Sequence, residues 1–575
     1  MIFNRVSFLF VFLLFIPTVM YLPNPGGVGI ALPFNLLFCG GAALIMAVWW
    51  GVAIEGHTVI TPTCRTLLAA SLLLILPVGF THPEWQSGAL WRLTGLFTGV
   101  LFYFTWLQVH MTTRQRHAVL YIILVATAVQ ALIILLQLFA PQLVQCWIPA
   151  NSGRAVGIFQ QPNVTASFIA TGMALALAAF ILPCFHIANL NAERWRRRAL
   201  ALALVLLPMV LVWLQSRTGW LAGILVSGAF ILCFYRRCSH RASIASFLVI
   251  GGTLTAVLVL WWGDLPVGNI RYISHAGSNH ARISMLNDTL AMIAEKPFAG
   301  WGYGGFEYSF QHFRLAHGLS TEAVGIARHP HNELLLWWVE GGLVALSGMV
   351  LLIMGGLKLM IRACYSDVWT FALGKATAGE AMALCIAMLP IVLHTQTEYP
   401  FYLSTLHWLV FLMLLAMLDR LISQRLGVLT PGPVFTRFRL PILTLSLLAF
   451  FAASTGLYSG LVLTQAEKKG LQDMHQVVAL PVWMSWMHTE RLQFDYQLSS
   501  LQRFNLTRDE QLLETYTEWA QSYLNHRIDK NVYANLVIIL RFQQQDVLAD
   551  QYQREAAALF PMDERFIAAI KNREG

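Results

Sequence analysis

Polar and apolar positions along this chain fall into long blocks. From the N-terminus to about residue 460, runs of 17–25 mostly apolar residues are separated by short polar joints. A run of that length crosses a hydrocarbon core. In lipid each backbone group must bond within its own segment, so each run is expected to be a helix. The pattern predicts about thirteen spans, at 6–22, 30–52, 66–80, 89–109, 118–139, 163–187, 199–215, 219–235, 245–262, 333–357, 377–394, 402–419 and 440–460. The first leads straight into "YLPNPGG" and a second span, without a small-residue cleavage site. It therefore reads as an anchor and not a cleaved leader.

Two stretches break the pattern. Some seventy residues at 263–332 separate the ninth and tenth spans, and a joint that long is usually functional. After about residue 462 the long apolar runs stop and Gln, Asp, Glu and Lys accumulate. Within that tail, "NVYANLVIILRFQQQDVLADQYQREAAALFP" predicts two helices. Leu536, Ile539 and Leu540 share one face, and Leu548, Tyr552, Ala556, Leu559 and Phe560 another, with Pro561 as the stop. The expectation is an all-α polytopic membrane protein. Its parts would be 1–262 with nine spans, a loop at 263–332, 333–460 with four spans, and a helical segment at 461–575 that resembles a tetratricopeptide hairpin.

Composition agrees. Hydrophobic residues make up 57% of the 575 and charged residues only 12%, about half the charged fraction of soluble domains. The net charge of +9 is spread over short joints, at Arg114/Arg116, Arg194–Arg198, Arg236/Arg237/Arg241, Lys358/Arg362 and Arg420/Arg425. Such scattered clusters do not make a nucleic-acid face. Counted through the spans, all fall on the side of the N-terminus, which the positive-inside rule makes cytoplasmic. The loop at 263–332 and the C-terminal segment then lie outside. Of eight cysteines only Cys146 faces outward on this topology, and no C-x-x-C pair suggests zinc.

The chemistry-bearing residues gather on that outer side. Arg282 opens an amphipathic helix in which Ile283, Leu286, Leu290 and Ile293 line one face. "EKPFAGWGYGGF" ends it with Pro297 and four glycines, neither a phosphate loop nor a dinucleotide fingerprint, and suited to close backbone approach. Arg217 stands at the outer lip of "LQSRTGWLAG", where a guanidinium near hydrocarbon costs up to ~3 kcal/mol by insertion scales. With Arg154 and Arg282 it suits a phosphate or diphosphate, which guanidinium groups bind through forked hydrogen bonds. In "RHPHNELLLWWVEGGLVAL", Pro330 fixes a turn and Asn332 can cap the tenth span. His331 is thereby held at the mouth of the membrane, where an imidazole can accept a proton near neutral pH. The H-x-H-x-E order of His329, His331 and Glu333 has no metal-site spacing, and no metal is expected.

These elements resemble the O-antigen ligase/polymerase superfamily, above all the bacterial protein O-oligosaccharyltransferases of the pilin glycosylation ligase type. "RAVGIFQQPN" resembles its R-x-x-G-x-F-x-x-P-N element, "SRTGW" its S-R-x-x-W element, and "HNELLLWWVEGG" the start of its H-N-x9-G-x-x-G signature. Ala345 replaces the second glycine, which implies looser helix packing there. "TEYPFY" resembles an E-x-P element of the protein-glycosylating branch. The resemblance implies transfer of a glycan from polyprenyl (undecaprenyl) diphosphate to a Ser or Thr hydroxyl of a periplasmic or pilin-like protein. The enzyme would be a nucleotide-independent inverting transferase of the bacterial inner membrane, with no cofactor. Carried residue by residue, its essential histidine falls on His331, with His329 as the competing position, and its arginines on Arg217 and Arg282. Arg154, Gln161, Asn163, Asn332, Glu398 and Tyr402 would bind substrate. Ligation to lipid A-core, polymerisation of O-antigen units, and a non-catalytic transporter or flippase are the alternatives.

Overall fold

A computed structural model describes residues 15–23, 28–52, 58–148, 155–261, 276–322, 324–427, 430–431 and 435–566. The expected first span, 6–22, and Arg154 lie largely or wholly outside them. The longer helices, numbered here in chain order, are α1 Pro33–Val52, α2 Pro62–Ile75, α3 Gln86–Gln108, α4 Thr113–Phe139, α5 Pro162–Ile181, α6 Leu190–Trp213 and α7 Arg217–Trp261. They continue as α8 Ala276–Glu295, α9 Phe306–Ala316, α10 Glu333–Ala372, α11 Glu380–Thr395, α12 Thr405–Arg425 and α13 Phe435–Lys468. The last four are α14 Thr489–Thr507, α15 Gln511–Leu524, α16 Lys530–Phe542 and α17 Asp546–Leu559. Apart from two-residue strands at Val59–Ile60 and Thr430–Pro431, paired antiparallel, the described residues contain no sheet.

The chain is a multi-pass, all-α membrane protein. Eight helices among the described residues are long and apolar enough to cross a bilayer. That number counts α7 once, although it folds back on itself. Gly219 and Gly223, near its start, pack on Leu211 of α6, while Ala256, near its end, accepts a hydrogen bond from Trp213 of α6. A straight helix would hold those two ends about 50 Å apart. The reversal occurs at Cys238, whose backbone is non-helical, between the two spans expected at 219–235 and 245–262.

At the centre stands α5, in which nearly every residue from Val164 to Ile181 is buried. Its Ala, Gly and Thr residues let neighbours close in, the usual basis of packing inside lipid. A Cβ on Gly172 would collide with Thr127 of α4, and one on Gly219 of α7 with Ala166. Along α11, Glu380 and His394 mark opposite ends, about 20 Å apart. At the Glu380 end, buried ion pairs fasten the helices: Arg116 grips Glu380 at 2.8 and 2.9 Å, and Arg425 lies 2.8 Å from Asp367.

The glycine turn after α8 meets a break in α10. Trp301 N donates to Val339 O at 2.8 Å, Gly302 N to Glu340 O at 2.9 Å, and Leu343 N to Phe298 O at 3.0 Å. That pairing requires Gly342 at φ 61°, where a Cβ would strike the Phe298 carbonyl. The expected span 333–357 is therefore divided: a short helix at 333–341, then a long one running to Ala372. Ala345, in place of the second glycine, is fully buried beside Leu74, Tyr303 and Trp337.

The amphipathic face expected on α8 is corrected. The helix begins at Ala276, ahead of Arg282, and Ile283, Leu286 and Leu290 are exposed. Met285, Thr289, Met292 and Ile293 are the buried set. Both faces carry apolar residues, and periodicity alone does not say which one turns inward. In the C-terminal segment, α14 to α17 pack each on the next. Leu536, Ile539, Leu540, Ala556 and Leu559 enter one core, as their spacing predicts.

Candidate active site

Four distant stretches meet at one buried carboxylate, Glu398, which is 4% exposed. It lies in the turn after α11, where its own N–H donates to His394 O at 2.9 Å. Gln161 Nε2 donates to its Oε2 at 2.8 Å and Asn163 Nδ2 to its Oε1 at 2.5 Å, both from the start of α5. Gln161 also caps α5, accepting from Val164 N, so the helix start fixes the side chain that reaches Glu398. From α8, Arg282 Nη2 donates to Oε1 at 2.8 Å. His394 Nε2 lies 3.3 Å from Oε2.

The "SRTGW" stretch enters beside them. Ser216 donates to Asn163 Oδ1 at 2.6 Å and accepts from Gly219 N at 3.1 Å, so it caps α7 and steadies Asn163 together. Thr218 hydrogen-bonds Thr397 at 2.9 Å. Between them Arg217, half-buried, is close enough to feel the charges of Arg282 and Glu398. Two guanidiniums facing one carboxylate leave these three groups with a net positive charge, the polarity that suits an anion.

His331 stands on the last stretch, in the turn before α10. Its backbone is left-handed at φ 54°, a conformation uncommon for a side chain of this size. Asn332 makes that turn rigid: its Oδ1 accepts from Leu335 N at 3.0 Å as the helix cap, and its Nδ2 donates to Gln396 O at 3.2 Å. The His331 ring lies 5.6 Å from the Tyr399 ring. Its buried Nδ1 has no hydrogen-bond partner among the described residues. Burial lowers the His331 pKa, the Glu398 charge pulls it up, and the Arg282 charge lowers it further; the net direction is down. Burial raises the pKa of Glu398, but the hydrogen bond from His394, the charge of Arg282 and the Asn163 donor outweigh it and bring the carboxyl down. At neutral pH the site thus holds a carboxylate and a neutral imidazole.

The two imidazoles flanking Pro330 share Tyr399, whose ring lies 4.2 Å from that of His329 and 5.6 Å from that of His331. His331 faces the charge of Glu398 and Arg282, whereas His329 also stacks on Tyr402, ring centroids 5.7 Å apart, and lines a cavity of ≈ 2050 Å³. The cavity is mostly apolar, walled by α1, α2, α3, α10, α11, α12, α13 and α14, with Arg92, Glu333 and Glu340 beside His329. Burial and the charges of Arg92, His331, Arg527 and Arg328 push His329 down to about 3. Tyr402 also belongs to this side: its hydroxyl donates to Glu333 Oε2 at 3.4 Å and its ring lies 6.0 Å from the Arg92 guanidinium.

The structure therefore brings Gln161, Asn163, Arg217, Arg282, His331, Asn332 and Glu398 together and sets His329 and Tyr402 on the cavity wall. Among the described residues no hydrogen bond joins Glu398 to His331. Sequence reasoning missed His394, three residues ahead of the stretch that suggested an E-x-P element. The signal was a His and a Glu four apart at a helix end, which share a face. It also missed the Arg92–Glu340 contact of 2.5 Å, whose partners are far apart in the chain.

Successive stretches of the chain match family models described as Protein glycosylation ligase, over residues 155–178, O-Antigen ligase, over 200–350, and Virulence factor membrane-bound polymerase, C-terminal, over 382–574. The first holds Gln161 and Asn163, the second Arg217, Arg282 and His331, and the third Glu398. The chain is thus a multi-pass membrane protein that resembles the O-antigen ligases and the protein glycosylation ligases, as its motifs implied. A relative described as General O-oligosaccharyltransferase, from Acinetobacter baylyi, is 23% identical over 263 residues. That alignment covers 43% of this chain and 41% of the relative, less than half of each.

Proposed function

We propose that the protein is an O-linked oligosaccharyltransferase: it moves a glycan from a polyprenyl diphosphate carrier, of the undecaprenyl type, to a Ser or Thr hydroxyl of a periplasmic or pilin-like protein. The observation that carries this reading is the convergence of Arg217, Arg282, Glu398 and His331 from four distant stretches. Arg217 and Arg282, with Arg154, bind the diphosphate and stabilise the charge that develops on the leaving oxygen. His331 takes the proton of the acceptor hydroxyl as its oxygen attacks the anomeric carbon. The bond from that carbon to the diphosphate breaks, the polyprenyl diphosphate departs with the bonding pair, and the anomeric centre inverts. Energy comes from the sugar–diphosphate bond, so no nucleotide takes part. The apolar cavity beside His329 is the right kind of space for a polyprenyl tail.

On this reading the protein sits in the bacterial inner membrane with its N-terminus cytoplasmic. The loop at 263–332 and the segment after 461 are periplasmic, and 1–262 and 333–460 carry the spans. Glu398 holds Arg282, Gln161 and Asn163 in place, and Asn332 holds the His331 turn. A second reading, transfer to another glycan or to lipid A-core, draws on the stretch described as a polymerase C-terminus.

The test is reconstitution of the full chain in vesicles with a polyprenyl-diphosphate oligosaccharide, offered a pilin-like protein or lipid A-core. A mass shift on the protein, absent with His331→Ala, is the expected result. Glycan appearing on the lipid alone moves the function to ligation, and no transfer to any acceptor by the intact protein overturns the reading.

A further inference from the structure

Behind Glu398 a row of polar side chains runs into the helix bundle. His394 Nδ1 lies 2.8 Å from Ser167 Oγ, Ser167 Oγ lies 3.1 Å from His407 Nε2, and His407 Nδ1 lies 2.9 Å from Ser404 Oγ. All four side chains belong to residues at 0% exposure. Ser167, His394 and Glu398 have the connectivity of a nucleophilic triad, but a serine sealed at 0% exposure cannot meet a substrate.

We infer that His394 is a positioning residue for the transfer reaction: its Nε2–H donates to Glu398 and holds that carboxylate toward Arg282, Gln161 and Asn163. The inference rests on the transferase reading. A carboxylate only accepts, so His394 Nε2 carries the hydrogen. Its Nδ1 meets the Ser167 hydroxyl, which also donates to Val164 O at 3.0 Å. Ser167 Oγ lies next to His407 Nε2, and His407 Nδ1 next to the Ser404 hydroxyl, so every ring nitrogen in the row has a partner.

His407 Nε2 also lies 3.0 Å from Val164 O. In a low-dielectric interior such aligned bonds polarise one another. The turn that carries Glu398 is tied to the same residue, since the N–H groups of Thr397 and Glu398 donate to His394 O at 3.1 and 2.9 Å. Charged and titratable groups face Glu398 from every side: Arg282 on α8, Arg217 at the start of α7, His331 before α10, and His394 and Tyr399 on its own segment.

The full chain in vesicles, as wild type, His394→Ala and His394→Gln, tests this through the pH dependence of glycan transfer and nitrogen NMR of the histidines. His394→Ala is expected to lower kcat by about tenfold to a hundredfold, as befits one hydrogen bond to a charged group. Its acid limb moves to higher pH, because Glu398 loses a donor that favours its charged form. His394→Gln, whose Nε2 amide reproduces the donor, keeps the wild-type limb and recovers most of the rate. The wild-type spectrum shows one histidine with a hydrogen-bonded Nε2–H, and that signal is missing from His394→Gln. A wild-type rate and limb in His394→Ala, a Gln variant as impaired as Ala, or a His394 ring that carries no hydrogen on Nε2 overturns the inference. The NMR outcome stands even where the alanine variant does not fold. It also separates the two claims: an intact protein that transfers no glycan, with the Nε2–H signal present, removes the transferase reading and leaves the network.

Discussion

Glu398 accepts a hydrogen bond from Arg282 at 2.8 Å across 116 residues of chain, and among the described residues no other hydrogen bond joins α8 to Glu398. Replacing Glu398 by Gln keeps the shape but removes the charge that Arg282, Gln161 and Asn163 share. Transfer is expected to fall at least tenfold, with an apparent stability loss of ~1–3 kcal/mol from the donors left facing an amide. Rates in vesicles and thermal unfolding in detergent check the two parts; unchanged values in both would leave Glu398 a bystander.

His331→Ala should abolish detectable transfer. A positioned general base is worth about a hundredfold to ten-thousandfold. His329→Ala should be far milder, because its ring lies on the cavity wall with Tyr402. Acceptor mass spectrometry of the two variants, side by side, tests which histidine the reaction uses.

Arg217→Lys keeps the charge and loses the fork. Expected is a drop of about tenfold to a hundredfold in transfer, with normal insertion, since a point charge cannot bond two oxygens of a diphosphate in one plane. A lysine variant at full rate would make Arg217 a membrane-surface anchor.

The pH profile follows from the direction of two shifts. His331 is held below its usual 6.5, so it stays neutral through the physiological range and the rate should be flat there, with its acid limb below that value. Stability has the same sign. Below 6.5 the unfolded chain takes up a proton that folded His331 resists, and below 4.5 Glu398, also depressed, resists protonation in turn. Apparent Tm in detergent should therefore decline as pH falls from about 6.5, and again, more steeply, below the usual carboxylate range. A Tm that rises on acidification would contradict both shifts.

Gly342→Ala should cost ~1–3 kcal/mol from the strain of a side chain at positive φ, before the collision with the Phe298 carbonyl is counted. Because the Phe298–Leu343 bond ties the glycine turn to α10, a loss of transfer should accompany the lower Tm. Gly356→Ala, where nothing lies within 4 Å, is the matched control.

Much of this protein could be read from residue order alone. Apolar block length determined the helices and the membrane class, because lipid leaves a spanning backbone no other way to satisfy its hydrogen bonds. Cap and breaker residues such as Asn332, Pro330 and Pro561 marked where helices begin and end, since those effects act over a few neighbours. The candidate residues were legible as motif fragments expected at one face of the membrane, though without their contacts. Tertiary structure decided which of them meet: that Glu398 is the hub, that His331 feels its charge while His329 lines the apolar cavity, and that His394, Ser167 and His407 stand behind it. It also decided that α8 buries Met285 and Met292 and leaves Leu286 outside, and that α7 doubles back at Cys238. Those outcomes depend on which helix packs on which, a choice made by shape and by paired charges hundreds of residues apart, and local spacing carries no record of it.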